Sequence, residues 1–189
     1  ENYQDSLRLA RMLRDIYDCP KPVLGRINGP AIGGGTGLVA VCDIAIAAED
    51  AVFGITETKL GVIPAAISPY LLKRMGERNL KEYTLTGERF KAPRAVELGL
   101  INAVAPPDGL DDAVQARIDL IMTGGPEALA ASKQLIRDVA EQSLDDAGPY
   151  TARAITERRM SDEGQEGMNA FLRKEKPRWV TDAKKSPAR

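Results

Sequence analysis

Apolar positions near the start of the chain recur at helical spacing. Leu9, Met12, Leu13 and Ile16 share one face, with Arg11, Arg14 and Asp15 between them. Cys19-Pro20-Lys21-Pro22 ends that helix, because proline cannot continue it. The pattern then changes to short apolar runs broken by glycine and proline. Residues 23–27 predict a strand and Asn28-Gly29-Pro30 a turn. Residues 36–41 predict a short buried helix, residues 43–48 a second strand and residues 51–55 a third. Residues 56–61 read as a loop and residues 61–64 as a turn. The result is a βαβ-like unit with Gly33-Gly34-Gly35 at its middle.

Helices dominate the rest. Residues 67–75 form one, stopped by Gly76, and residues 79–86 another, closed by Gly87. Residues 92–98 form a third, ended by Gly99 in a left-handed C-cap. A short strand over residues 100–104 and a loop over residues 106–109 lead to a helix over residues 111–121. After Gly124-Gly125, Pro126 opens a helix whose predicted buried stripe is Leu129, Leu135, Ile136 and Val139. Gly148-Pro149 is predicted to separate it from a helix over residues 150–160. Ser161 caps the last helix, expected to bury Met168, Phe171 and Leu172. Residues 181–189 read as a frayed polar tail. No internal repeat or long linker interrupts this order of βα units first and helices last. The chain opens inside a helical pattern, so further sequence upstream of Glu1 is expected.

Composition narrows the chemistry. With 189 residues, 43% hydrophobic and 28% charged, the chain suits one soluble domain with a sizeable core. A net charge of -1 gives no bulk electrostatic case for nucleic acid or an anionic membrane. No apolar run reaches the length of a membrane span and no signal peptide opens the chain, so a cytoplasmic protein is expected. Cys19 and Cys42 give neither a disulfide framework nor metal-ligand spacing, and no metal site is expected. The chain has no histidine, which excludes Ser-His-Asp and Cys-His catalysis and His-containing zinc sites within it. Proton transfer is left to carboxylates, Lys, Tyr, Cys or water.

Gly33-Gly34-Gly35-Thr36-Gly37 is the most informative stretch. Consecutive glycines at a strand-to-helix junction let the backbone approach a ligand closely. The N–H groups of a helix start lack internal partners, and the helix dipole adds positive potential. Such a place can bind an anion or an oxyanion that develops during reaction; a tight turn or close helix–strand packing would use the same residues. Two phosphate-binding alternatives each lack a residue they need. Gly35 stands where a P-loop needs its lysine, and Leu38 where a dinucleotide fingerprint needs its third glycine.

Residues 28–38, Cys42-Asp43-Ile44-Ala45, Phe53-Gly54, Glu57 and Leu60-Gly61-Val62-Ile63-Pro64 together resemble the signature of the enoyl-CoA hydratase/isomerase (crotonase) family. Leu85-Thr86-Gly87, Ala95, Gly99-Leu100-Ile101 and residues 167–174 are similar to its later landmarks. The resemblance covers essentially the whole chain, in order. It implies an α/β fold of repeated ββα units with a helical C-terminal subdomain. Residues 1–124 would be the remainder of the ββα core and residues 125–189 the trimerisation subdomain. It also implies an acyl-CoA substrate, a homotrimer or dimer of trimers, and no cofactor, coenzyme A being part of the substrate.

The same resemblance assigns roles. Gly34 would present one oxyanion-hole N–H; the second would come from an Ala-Gly-Ala-Asp-like loop, expected before Glu1. Of the two glutamates of the best-known hydratases, the first falls on Gly37, which has no side chain, and the second on Glu57. Burial beside Ile55, Val62 and Ile63 would suit Glu57 to acid/base work. A solvated loop carboxylate is the alternative. With one glutamate the chain resembles isomerases and glutaconyl-CoA-type hydratases. A hydratase is the first expectation, an isomerase using one glutamate as proton shuttle the second, and an inactive CoA-binding or assembly protein a third of another class. Phe171 and Lys174, one helical turn apart, match positions that touch the adenine end of CoA in relatives; a core Phe and a surface Lys would serve equally. Cys42 is expected to pack, Asp43 to position backbone, Tyr70 to line an acyl pocket or pack in the core, and Trp179 to pack.

Overall fold

The computed structural model describes residues 2–183 and divides them into two compact units. The first comprises the residues up to Cys19 together with Val23–Ala116, the second Pro20–Pro22 and the residues from Arg117 onward. The boundary at residue 116 falls inside a helix. Residues 184–189, most of the predicted frayed tail, lie outside the described residues.

In the first unit, helix α1 (Asn2–Asp18) buries Leu13 of its apolar stripe completely, while Leu9 and Met12 of the same stripe are exposed. Strand β1 (Leu24–Ile27), β2 (Ala31–Ile32), helix α2 (Gly34–Val41), β3 (Ile44–Ala48) and β4 (Val52–Gly54) follow. Helix α3 (Ser68–Thr86) bends at Gly76, whose φ of 72° and ψ of 165° interrupt it where the sequence predicts a stop. Then come β5 (Arg89–Lys91), α4 (Ala92–Glu97), β6 (Ala103–Ala105) and α5 (Leu110–Ile121). Two three-stranded sheets result. One runs β1-β3-β6, all parallel; the other runs β2-β4-β5, with β2 and β4 parallel and β4 and β5 antiparallel.

The strand expected at residues 100–104 begins later. Leu100 and Ile101 spend their N–H groups on Ala95 O, at 2.9 and 3.3 Å, closing α4. Ladder pairing resumes at Asn102, whose N–H reaches Ala45 O at 2.8 Å while its Oδ1 accepts from Ala45 N at 2.8 Å. Gly99, at φ 76°, passes so close to Arg74 that a Cβ there would lie 2.7 Å from Arg74 O. Leu13, Val41, Phe53, Ile55, Leu71 and Leu100 are fully buried large residues of this unit's core. The Arg74 guanidinium caps the C-terminal end of α2, donating to Ala40 O at 3.1 Å and to Cys42 O. A cation there also complements the negative end of the helix dipole.

The second unit is helical: α6 (Pro126–Val139), α7 (Leu144–Met160), α8 (Asp162–Arg173) and α9 (Arg178–Ala183). Ser161 caps α8 by accepting from Gly164 N at 3.1 Å, as predicted. Three expectations are corrected. Gly148-Pro149 does not separate two helices but lies inside α7. The helix begins earlier because Ser143 supplies an N-cap, accepting from Asp146 N at 3.2 Å, and it continues through Pro149 at the expense of one intrahelical hydrogen bond. Ile136 is 67% exposed rather than part of a buried stripe. Met168, Phe171 and Leu172 are exposed on α8, where Ala170 and Glu163 are buried instead. Helical periodicity reveals an apolar face but not what covers it. Glu163 reaches the start of α6, accepting from Glu127 N at 2.9 Å and Ala128 N at 2.7 Å, so a buried carboxylate caps a neighbouring helix.

Candidate active site

The glycine loop is held by main-chain geometry at Gly33 that favours glycine. Gly33, the N-cap of α2, sits at φ 56° and ψ −120°, a conformation open to glycine. Its N–H donates to Gly54 O at 2.8 Å, joining the loop to the end of β4. Gly34 is the first residue of α2 and is exposed. At this position a helix has no internal acceptor for the N–H, and among the described residues no other acceptor takes it. A Cβ placed on Gly34 would meet nothing within 4 Å, so the space in front of it is open.

Glu57 begins a 3₁₀ turn, Glu57–Leu60, that replaces the loop expected over residues 56–61. The turn is closed by Gly61 at φ 73°, and Val62 N donates to Glu57 O at 3.2 Å. Thr58 Oγ1 donates to Thr84 O at 2.8 Å and ties the turn to α3. The Glu57 carboxylate packs against the glycine loop. A Cβ built on Gly33 would lie 3.2 Å from Glu57 Oε1, a tight contact that adds to the demand for glycine made by the φ. Glu57 Oε2 is buried, and no protein group among the described residues hydrogen-bonds it. The fold thus sets a carboxylate beside the residue preceding an unpaired helix-start N–H. The expected apolar shell is only partly present: Ile55 is fully buried, but Val62 and Ile63 are 55% and 74% exposed, because the turn after Gly61 directs them outward.

Gly37 has a steric reason to lack a side chain. A Cβ there would lie 2.0 Å from Ile67 Cγ2 and 2.7 Å from Ile67 Cβ, and both residues are buried. The volume that an acid at this position would need is filled by isoleucine. Gly37→Glu is therefore expected to disrupt folding rather than install a second carboxylate. Gly37→Ala is expected to cost about 1–3 kcal/mol by overpacking. Chemical denaturation checks both, with Gly37→Ala/Ile67→Ala expected to lose less than the sum of the two single variants' losses.

The other predicted residues are placed as follows. Asp43 positions backbone, its Oδ2 accepting from Val23 N at 2.7 Å. Cys42 is half-buried and its thiol donates to Leu38 O at 3.3 Å. Tyr70 packs its ring against Tyr17, centroids 5.2 Å apart, and burial pushes its phenol above the usual tyrosine range. Trp179 donates from its indole N–H to Thr123 O at 3.2 Å and lies over Gly167 in the second unit. Phe171 and Lys174 are both exposed in that unit, but Lys174 leaves the helix as its left-handed C-cap at φ 57°, so the two do not form a continuous helical pair. Sequence reading assigned no role to Thr36, which is fully buried; its place inside the glycine motif was the available signal. Among the described residues no group of three or more His, Cys, Asp or Glu is placed to hold a metal ion, and no helix is long and apolar enough to cross a membrane.

The arrangement of sheets, glycine loop and trailing helices is that of the crotonase fold, as in the crystal structure of an enoyl-CoA hydratase from Shewanella pealeana. That structure is 41% identical, with a TM-score of 0.90 over 94% of this chain and 67% of the other. A Thermus thermophilus protein bearing an enoyl-CoA hydratase name is 35% identical over 179 residues, 95% of this chain and 71% of that protein. A carnitinyl-CoA dehydratase from Salmonella agona is 30% identical over 172 residues, 88% of this chain and 66% of that enzyme. The chain thus spans about two thirds of the length of these relatives. The family model for enoyl-CoA hydratase/isomerase matches residues 2–182, and the chain belongs to that family.

Proposed function

We propose that the protein hydrates an α,β-unsaturated acyl-CoA thioester through an enolate, with the Gly34 N–H as oxyanion donor and Glu57 as acid and base. One observation carries the reading: the Glu57 carboxylate lies against Gly33, next to the exposed Gly34 with its unpaired N–H. The thioester oxygen would accept from Gly34 N–H at the positive end of α2. Glu57 would take a proton from water as the water oxygen bonds to C3. The C2–C3 π electrons would move toward the carbonyl to give the enolate. The Glu57 carboxylic acid would then return the proton to C2, leaving a β-hydroxyacyl-CoA. A single carboxylate acting at both carbons implies addition to one face of the double bond. The named dehydratase among the relatives removes water, the reverse of this step.

Phe171 and Lys174, both exposed, are the proposed contacts for the adenine end of CoA. The exposed apolar side chains of α8, Met168, Phe171 and Leu172, recur at helical spacing on one face and support a self-assembling protein, proposed as a homotrimer or dimer of trimers. Isomerisation is the second reading, favoured by the one observation that Ile67 leaves no room for a second acid at position 37. The full-length protein, supplied in turn with a 2-enoyl-CoA and a 3-enoyl-CoA, tests both by product analysis. A β-hydroxyacyl-CoA from the 2-enoyl substrate is expected. Interconversion of the two enoyl substrates without hydroxylated product would replace hydration by isomerisation. Tight binding of both without turnover would leave a CoA-binding protein.

A further inference from the structure

We infer that Thr36 is a positioning residue of this site, its hydroxyl setting the Gly34 N–H and the Glu57 carboxylate in register. The inference rests on the roles proposed above for those two groups. Thr36 is 0% exposed, so no substrate touches it. Its Oγ1 lies 2.7 Å from Ala31 O and 2.9 Å from Gly54 O. Thr36 is only the third residue of α2, so no carbonyl of its own helix lies three or four residues behind it. Here the hydroxyl leaves α2 and shares one proton between the carbonyls of two neighbouring strands.

Those carbonyls belong to the two segments that the chemistry needs aligned. Ala31 begins β2, which runs directly into the glycine loop. Gly54 ends β4, and only Ile55 and Thr56 separate it from Glu57. Gly54 O also accepts the Gly33 N–H at 2.8 Å, so one carbonyl oxygen at the end of β4, three residues before Glu57, holds both Gly33 and Thr36 of the oxyanion loop. β2 and β4 pair through only two residues on each strand, Ala31 with Phe53 and Ile32 with Gly54. So short a ladder specifies its register weakly by itself. The threonine hydroxyl supplies a further constraint, and it sits on the same helix as Gly34. Shape alone does not demand threonine, because valine fills the same volume.

The test compares Thr36→Val with Thr36→Ser in the full-length protein, using the 2-enoyl-CoA substrate and assay temperatures well below both melting points. Thr36→Val is expected to lower kcat about 10-fold or more, since a displacement of about 1 Å costs up to about 100-fold. KM is expected to stay within about 2-fold, because no contact to substrate is removed. Thr36→Ser is expected to restore most of kcat. A purely structural role would lower the melting temperature of the valine variant and leave kcat unchanged, and that result overturns the inference. Should the valine variant not fold, Thr36→Ser and Thr36→Cys carry the same comparison: serine active and cysteine at least several-fold slower is expected, and equal kcat values overturn the inference. Glu57→Gln run alongside separates the two ideas. If it abolishes turnover while Thr36→Val does not change it, the roles of Gly34 and Glu57 stand without Thr36; if it leaves turnover intact, those roles fail first.

Discussion

Glu57→Gln is expected to lower kcat for hydration of a 2-enoyl-CoA by about 10²–10⁴-fold, the usual contribution of a positioned acid/base group. Stability is expected to be unaffected. Glu57 Oε2 is buried without a protein hydrogen-bond partner, so no described interaction is broken when an amide takes its place. The substitution nearly preserves volume, and the contact with Gly33 is kept. The chain has no histidine to take over the proton transfer. Steady-state kinetics together with thermal unfolding decide the matter: wild-type kcat in Glu57→Gln would remove this residue from the chemistry, whatever the fold.

The second large effect belongs to Gly34→Pro. The first position of a helix tolerates proline, because its N–H is unpaired in any case and the ring enforces the required φ. Gly33 precedes it outside the α region that a following proline disfavours. No atom lies within 4 Å of a Cβ at position 34. The substitution therefore removes the proposed oxyanion donor while sparing the helix. The expected loss is about 10²–10³-fold in kcat, the usual effect of deleting one such donor, with the melting temperature held. Gly34→Ala keeps the N–H and is expected to retain much more activity. Equal losses in the two variants would trace the effect to added bulk at the entrance and end the assignment of this amide.

Local signals carried the sequence reading where the physics is local. The helix α1, the breaks at Gly76 and Gly87, the left-handed Gly99 and the Ser161 cap each depend on a few neighbouring residues. Strands β2 and β5 escaped notice because two and three residues are too short to establish alternation. The start of α7 was misplaced because Pro149 resembles a boundary, while the cap that decides it, Ser143, lies further upstream. Burial of Met168, Phe171 and Leu172 was expected from periodicity alone, and the folded chain leaves them exposed.

For the site, sequence by itself determined the chemical inventory. It established a glycine loop able to open a helix, a carboxylate at 57, none at 37 and no histidine anywhere. Only the tertiary structure decided that Glu57 rests against Gly33, that Ile67 fills the space beside Gly37, and that Thr36 links both strands. Dihedral preference and capping act within a few residues of one segment. Which side chains meet across separate segments depends on the pairing of β2 with β4 and the packing of α2 against α3, contacts that exist only once the chain has folded.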